Sequence, residues 1–156
     1  MEKFAESLQN ADKYIMNAEH IFNVTSKLIN DKKVLLNVLE NLYKSLLYSI
    51  DSILQLEFLL KRIKLSKDSS ENLLIFKNLA EGYGITKEEI RVVEDIFFIV
   101  KRHRQSSMEF LRGEKIVIMS ESLPCYFDTT KIKSYSETVK NIFDKIKDNF
   151  LSHSFI

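Results

Sequence analysis

The sequence has no tryptophan, one cysteine, one proline and three glycines among its 156 residues, and each scarcity excludes something. A single cysteine, Cys125, cannot close an intrachain disulfide, so no disulfide framework holds this chain. One proline and three glycines leave few places where a helix must break, so long helices with short connections are expected. The three histidines, His20, His103 and His153, stand far apart, and with one cysteine they do not supply the roughly four ligands of a tetrahedral zinc site. The residues three before them are Asn17, Val100 and Phe150, so the Glu-x-x-His pattern of di-iron bundles is missing. No glycine cluster leads into Gly-Lys-Ser or Gly-Lys-Thr, so no phosphate-cradling loop is expected. The sequence therefore points to no metal and no cofactor.

Charge of either sign is also not in excess. Lys and Arg number 23 against 22 Asp and Glu, a net charge of +1, which gives no global attraction toward nucleic acid or an anionic membrane. Any such contact must come from a local patch. The longest unbroken apolar run, Ile96 to Val100, is far below the roughly 20 residues of a membrane helix. The N-terminus lacks the pattern of a secretory signal. A cytoplasmic protein with no membrane contact is expected.

What the chain does have is 45% hydrophobic residues, enough for one core, and helical periodicity over most of its length. We expect one helical-bundle domain over residues 1–156. Phe4, Leu8, Ala11, Ile15, Ala18 and Phe22, continuing to Leu28 and Ile29, form the stripe of an amphipathic helix from about Lys3 to Ile29. Asn30 or Asp31 then caps a second helix that runs back antiparallel. That helix, about Val34 to Leu65, carries apolar residues on more than one face, including Leu36, Leu47, Leu54, Phe58 and Leu59, so it should touch neighbours on two sides or a partner subunit. Asp51, on its polar edge, is read as a solvated carboxylate. Asp68 to Glu71 and Thr86 to Glu89 have capping-box spacing and open a short third helix and a fourth running to about Gln105. Gly82 or Gly84 separates the two. Phe98 falls at the margin of the fourth helix, where a partner could cover it. Phe110 to Met119 is β-prone on both sides of Gly113-Glu114, which predicts a small hairpin or flap. Asp128 or Thr129 caps the last helix, and Ser152 to Ile156 reads as a frayed tail. The expected fold class is all-α, an up-down bundle of about five helices with a short hairpin before the last.

The densest positive charge coincides with the one break in helical periodicity. Lys101, Arg102, His103 and Arg104 end the fourth helix, and Arg112 and Lys115 flank the turn of the flap. Cations in a last turn complement the helix dipole by a few tenths to about 1 kcal/mol, which is one explanation of the run. The other is an anion-binding or RNA-contacting patch built from those six residues, with hydroxyls from Ser106 and Ser107. On that reading Glu109 orients Arg112. Cys125 has no sequence-near base and reads as a small apolar residue.

Ala18 to Phe22, followed by Asn41 to Asp51, resembles the paired long helices of HEPN-type domains, over roughly the first two-fifths of the chain. Ser107 to Ser120 also resembles a segment of small uncharacterised archaeal helical proteins, which implies no activity. The HEPN resemblance implies a helical bundle, often a homodimeric RNase or a toxin-system component, whose active members carry Arg followed by His after four to six residues. The matching positions here are Lys13, Tyr14 and Ile15, then Ile96, Phe97 and Phe98, then Ile146, Lys147 and Asp148. None is arginine, so no catalytic residue carries over. The reading is a noncatalytic binding or assembly module, homodimeric, meeting RNA or an anionic protein through the basic helix end and flap. Its rivals are an unorthodox RNase or phosphate-processing enzyme using His103, and a structural or antitoxin-like partner.

Overall fold

Helix boundaries in this chain are set mainly by side-chain caps. The computed structural model describes residues 2–25, 31–119 and 124–153. Its elements are α1 (Lys3–Thr25), α2 (Lys32–Leu59), α3 (Ser69–Leu79), a 3-10 turn (Ala80–Tyr83), α4 (Lys87–Gln105), β1 (Met108–Arg112), β2 (Lys115–Met119), β3 (Cys125–Asp128) and α5 (Thr129–His153). The protein is mostly helical, with a three-stranded antiparallel sheet ahead of the last helix.

Asp31, Asp68 and Asp128 each accept a backbone N–H of the following first turn at 2.9 Å. Thr86 and Glu89 close a full capping box, with bonds of 3.1 and 2.9 Å. Each such cap is worth about 1 kcal/mol. The box expected at Asp68 stays half open, because the Glu71 carboxylate accepts from Ser66 Oγ at 2.7 Å instead. Gly84 ends the 3-10 turn in the left-handed region, φ 78°. Asn30 and the expected end of α1 at Ile29 lie outside the described residues.

The second helix stops at Leu59, six residues before the expected Leu65. Lys61 adopts φ 60°, the only non-glycine residue at positive φ among those described. Its N–H donates to Phe58 O and that of Arg62 to Glu57 O, both at 2.9 Å. This is a Schellman closure with lysine where glycine usually stands. Hydrophobicity continues past the stop, which is why periodicity alone overran it.

Helices α1 and α2 run antiparallel, as their contacts show: Ser7 meets Asp51, Ala11 meets Ser45 and Tyr14 stacks on Tyr48. Ala11, Ala18, Ser45 and Ser49 are buried along this seam, and small side chains there let the two backbones approach. The Ser45 hydroxyl donates to Ala11 O at 2.9 Å, so the polar atom is satisfied without water. On its other sides α2 meets α3, α4 and α5, which accounts for its wide apolar stripe. Buried apolar residues from all five helices and from β2 and β3 join in one core cluster, which leaves out Val117.

The expected hairpin is present, closed by Arg112 opposite Lys115, with Gly113 at φ 66°. A third strand, β3, joins it; this segment went unassigned because four residues after Pro124 are too short for a periodic signal. In the observed register Leu111, Ile116 and Phe127 share one row, with Ile116 and Phe127 in the core, while Phe110, Val117 and Tyr126 form a row on the opposite face. Lys32 Nζ donates to Glu109 O at 3.2 Å, which covers part of the open edge of β1 with a charge.

Two predictions follow from these junctions. Lys61→Gly should raise stability by about 1 kcal/mol, since the left-handed conformation costs a side-chain-bearing residue about that much; a lower denaturation midpoint would show that the lysine side chain is itself needed. At the start of α4, burial alone would raise the Glu89 carboxyl, but bonds from Lys145, at 2.5 Å, and from Thr86 outweigh it and hold the carboxyl below its ordinary value. A depressed carboxylate contributes stability that is complete above its unfolded pKa, about 4.3, and is lost as pH falls through the folded value. The stability gap between wild type and Glu89→Gln should therefore narrow as pH drops below about 4.3. A gap that stays constant in acid denaturation curves would show that the ion pair is not the cause.

Candidate functional site

Successive residues on an α-helix are rotated by about 100°, so four consecutive basic residues cannot form one patch. The end of α4 shows the consequence. The Arg102 guanidinium lies 5.3 Å from the centre of the Phe98 ring, one turn back on its own helix. His103 faces the sheet, where Nδ1 is 2.5 Å from Glu109 Oε2. Arg104 turns toward α2: it donates to Glu40 Oε2 at 3.0 Å and lies 4.8 Å from the centre of the Tyr43 ring. The bond to Glu40 is the main cause that raises the Arg104 guanidinium above its ordinary pKa. Lys101 is exposed and makes no ion pair among the described residues.

The flap does not bring its cations to this group. Arg112 and Lys115 lie at the turn end of the hairpin, four residues and so about 13 Å of strand beyond Met108. Glu109, expected to orient Arg112, cannot do so, because residues three apart on a strand point to opposite faces; it holds His103 instead. Nor is Ser106 free to bind an anion. Its hydroxyl accepts from Met108 N–H at 3.2 Å and lies 2.7 Å from both Met108 O and Met119 O, tying the helix end to the open end of the hairpin. The six residues thus fall into four separate settings: Arg102 on the Phe98 ring, a helix–sheet anchor at His103, a helix–helix contact at Arg104 with Lys101 beside it, and a hairpin tip.

Lys101 and Arg104 border a feature not visible in the sequence, a cleft of about 590 Å³ between α2, the first turn of α3 and the second half of α4. Such volumes are typical of small-molecule sites. Tyr43, Leu47, Leu54, Leu73, Phe97 and Phe98 supply its apolar lining. Phe98 is 53% exposed and Leu47 39%, so the apolar margins noted on the second and fourth helices meet here. The Tyr43 and Phe97 rings pack edge to face at 5.1 Å. Asn72 donates to Ser66 O at 3.0 Å, while its Oδ1 is buried without a hydrogen-bond partner among the described residues. Asp51, also at the cleft, is half-buried and accepts from Ser7 at 2.5 Å and Gln55 at 3.4 Å, so it is not the solvated carboxylate expected. Three segments far apart in sequence make the cleft, and no local spacing marks it.

One buried acid went unnoticed in the sequence, while Cys125 sits as the small apolar residue expected there. Glu57 is buried, and its carboxylate accepts from Tyr83 Oη at 2.9 Å and from Arg62 at 3.4 Å; burial, then the bond to Glu57, pushes the Tyr83 hydroxyl well above its ordinary pKa. Cys125 packs against the core, and burial pushes its thiol up, which disfavours the reactive thiolate. Among the described residues no group of three or more His, Cys, Asp and Glu could hold a metal ion, and no helix is long and apolar enough to cross a membrane. No protein-family model, curated protein or solved structure matches the chain.

The Arg104–Glu40 pair is partly solvent-exposed, and exposed pairs couple by at most about 1 kcal/mol. A double-mutant cycle with Arg104→Ala and Glu40→Ala should return a coupling no larger than about 1 kcal/mol, with the helical signal unchanged. A coupling several times larger would mean that the pair holds α2 and α4 together.

Proposed function

We propose that the protein is a noncatalytic binding module that meets an anionic partner, single-stranded RNA first, at the end of α4 and the cleft beside it. The observation that carries this reading is Lys101, a cation with no ion pair among the described residues, placed at the mouth of an aromatic-lined cleft. Arg112 and Lys115, exposed at the hairpin tip and also without ion pairs among the described residues, extend the positive surface. Glu40 offsets Arg104 and Glu109 occupies His103, so binding by charge should be weak and strongly salt-dependent. Filter binding of a short single-stranded RNA should give an affinity that falls as salt rises, and replacing Lys101, Arg112 and Lys115 together with alanine should abolish it. No salt-sensitive binding by wild type removes the nucleic-acid reading and leaves a structural or antitoxin-like role.

On the same reading the protein acts as a homodimer in the cytoplasm, with an up-down bundle of HEPN type that lacks the family's Arg–His pair. The bundle part is supported by contacts that pair rising with falling residue numbers: α1 with α5 through Phe4–Phe150 and Glu19–Lys140, and α2 with α4 through Glu40–Arg104 and Tyr43–Phe97. The dimer part is supported by Phe58, Leu59 and Leu60, exposed together at the end of α2.

One observation favours the enzymatic alternative. A carboxylate on Nδ1 orients an imidazole and fixes its tautomer, the role of the acid in hydrolytic triads, and Glu109 is so placed on His103. Cleavage of the same RNA by wild type, lost in His103→Ala, would replace the noncatalytic reading with this one.

A further inference from the structure

We propose that the outer face of the three-stranded sheet is a second nucleic-acid surface, where unpaired bases of an RNA strand stack on Phe110 and Tyr126 while Arg112 and Lys115 meet its phosphates. This rests on the RNA reading above and adds where the bases lie. In an antiparallel ladder, residues directly opposite one another share a face, and neighbours along a strand alternate. The register therefore puts Met108 beside Met119, Phe110 beside Val117 beside Tyr126, and Arg112 beside Lys115 beside Asp128, all on one face. Ile116, Ile118 and Phe127 belong to the other face, in the core. The outer face is not packed on that core. Val117 is the buried apolar residue that the core cluster leaves out, and the rings on either side of it, Phe110 and Tyr126, are 39% and 44% exposed. Neither ring has a ring or cation partner among the described residues.

Two strand spacings, about 9–10 Å, separate those rings, so they lie side by side and each takes its own base. Such stacking tolerates any sequence, because every base has a π-face. Charge alone does not hold a partner here. Arg112 and Lys115 have no ion pair among the described residues, and Lys131 stands at the edge with Nζ 3.1 Å from Tyr126 O, but Glu114 lies in the turn and Asp128 shares the row of Lys115. Asp128 is committed to the N–H of Lys131 at the start of α5, at 2.9 Å. The small excess of cations steers a polyanion, and the exposed rings then supply the grip that phosphate contacts lack. A duplex keeps its bases stacked inside, so the face selects an unpaired strand. A second copy seated face to face would bring the same excess of cations with it, a repulsion that RNA does not meet.

The test is filter binding of the full chain to a short single-stranded RNA and to a base-free ribose-phosphate strand of the same length and charge. The RNA should bind at least about tenfold more tightly. Phe110→Leu and Tyr126→Leu keep the apolar bulk and remove the ring. Each should weaken RNA binding about tenfold while binding the base-free strand as wild type does, which also shows that the variant is folded. Tyr126→Phe, which keeps the ring, should bind RNA as wild type does. Replacing Arg112 and Lys115 with alanine should instead flatten the dependence of affinity on salt. RNA binding that survives Lys101→Ala but is lost in the two leucine variants supports the proposal and puts the bases on the sheet. No RNA binding by wild type at up to about 1 mM removes the proposal and the RNA reading together. Equal affinity for RNA and the base-free strand, or wild-type RNA affinity in both leucine variants, overturns the sheet surface alone and leaves the contact at the end of α4. Self-association of the RNA-free protein that is abolished by Phe110→Leu in sedimentation also overturns it, and assigns the face to a second copy.

Discussion

The fold depends on α2 being buried from several directions at once, and that is possible because serines stand where α1 comes closest. Ser45 meets Ala11 across the seam, and Ala11, Ala18, Ser45 and Ser49 are all fully buried. A leucine at any of these positions would push the two backbones apart and loosen the contacts that α2 makes on its other sides, since interiors pack too tightly to absorb added methylenes. The serines carry a cost, because a buried hydroxyl must find an acceptor. Ser45 finds Ala11 O across the seam and Ser52 finds Ser49 O within its own helix, whereas the buried Ser49 hydroxyl has no partner among the described residues. With α1 held close on one side, Leu39, Leu42, Leu46 and Ile53 are free to fill the space shared with the rest of the core.

Where α2 ends determines where the cleft can form. The turn at Lys61 stops the helix, and Arg62 then reaches back to Glu57, the buried acid that Tyr83 also binds. That small network pins the segment following α3 against the end of α2. It also places the first turn of α3 alongside α2 rather than beyond it. Had α2 continued to Leu65, six residues would have carried the chain about 9 Å further, and Ser69, Ser70 and Asn72 could not line the same space as Lys101 and Arg104. The strain at one lysine and the acid beneath it are therefore part of what builds the site.

Most of the architecture was legible where one physical rule acts locally. Capping residues marked the starts of α2, α3, α4 and α5, and a glycine at a two-residue turn marked the hairpin, because each satisfies backbone groups within a few positions. The stop of α2 was not legible, since Lys61 resembles any other lysine and only the bonds from Lys61 and Arg62 reveal its conformation. Strand β3 was missed because its pairing with β2 is a tertiary fact. The basic run was read as one patch from its adjacency in sequence, yet helical rotation distributes Arg102, His103 and Arg104 to an aromatic ring, the sheet and a neighbouring helix. Glu40, which takes up the charge of Arg104, lies 64 positions away, beyond the reach of any spacing rule.

That distribution also bears on which of the basic residues can serve a partner. A cation already held by a buried or half-buried carboxylate gains little from a ligand, since a new bond replaces an existing one and the desolvated acid is left behind. Arg104 is in that position with Glu40, and the His103 ring is likewise occupied by Glu109. Lys101 is not, and it lies three residues after Phe98 and three before Arg104, spacings that keep all three on neighbouring parts of one helical face. The residue with the least structural work at the end of α4 is thus the one beside the largest aromatic surface that the fold leaves uncovered there. A charge that contributes little to folding, next to a ring that a monomer would ordinarily bury, is the combination expected where stability has been relinquished for recognition.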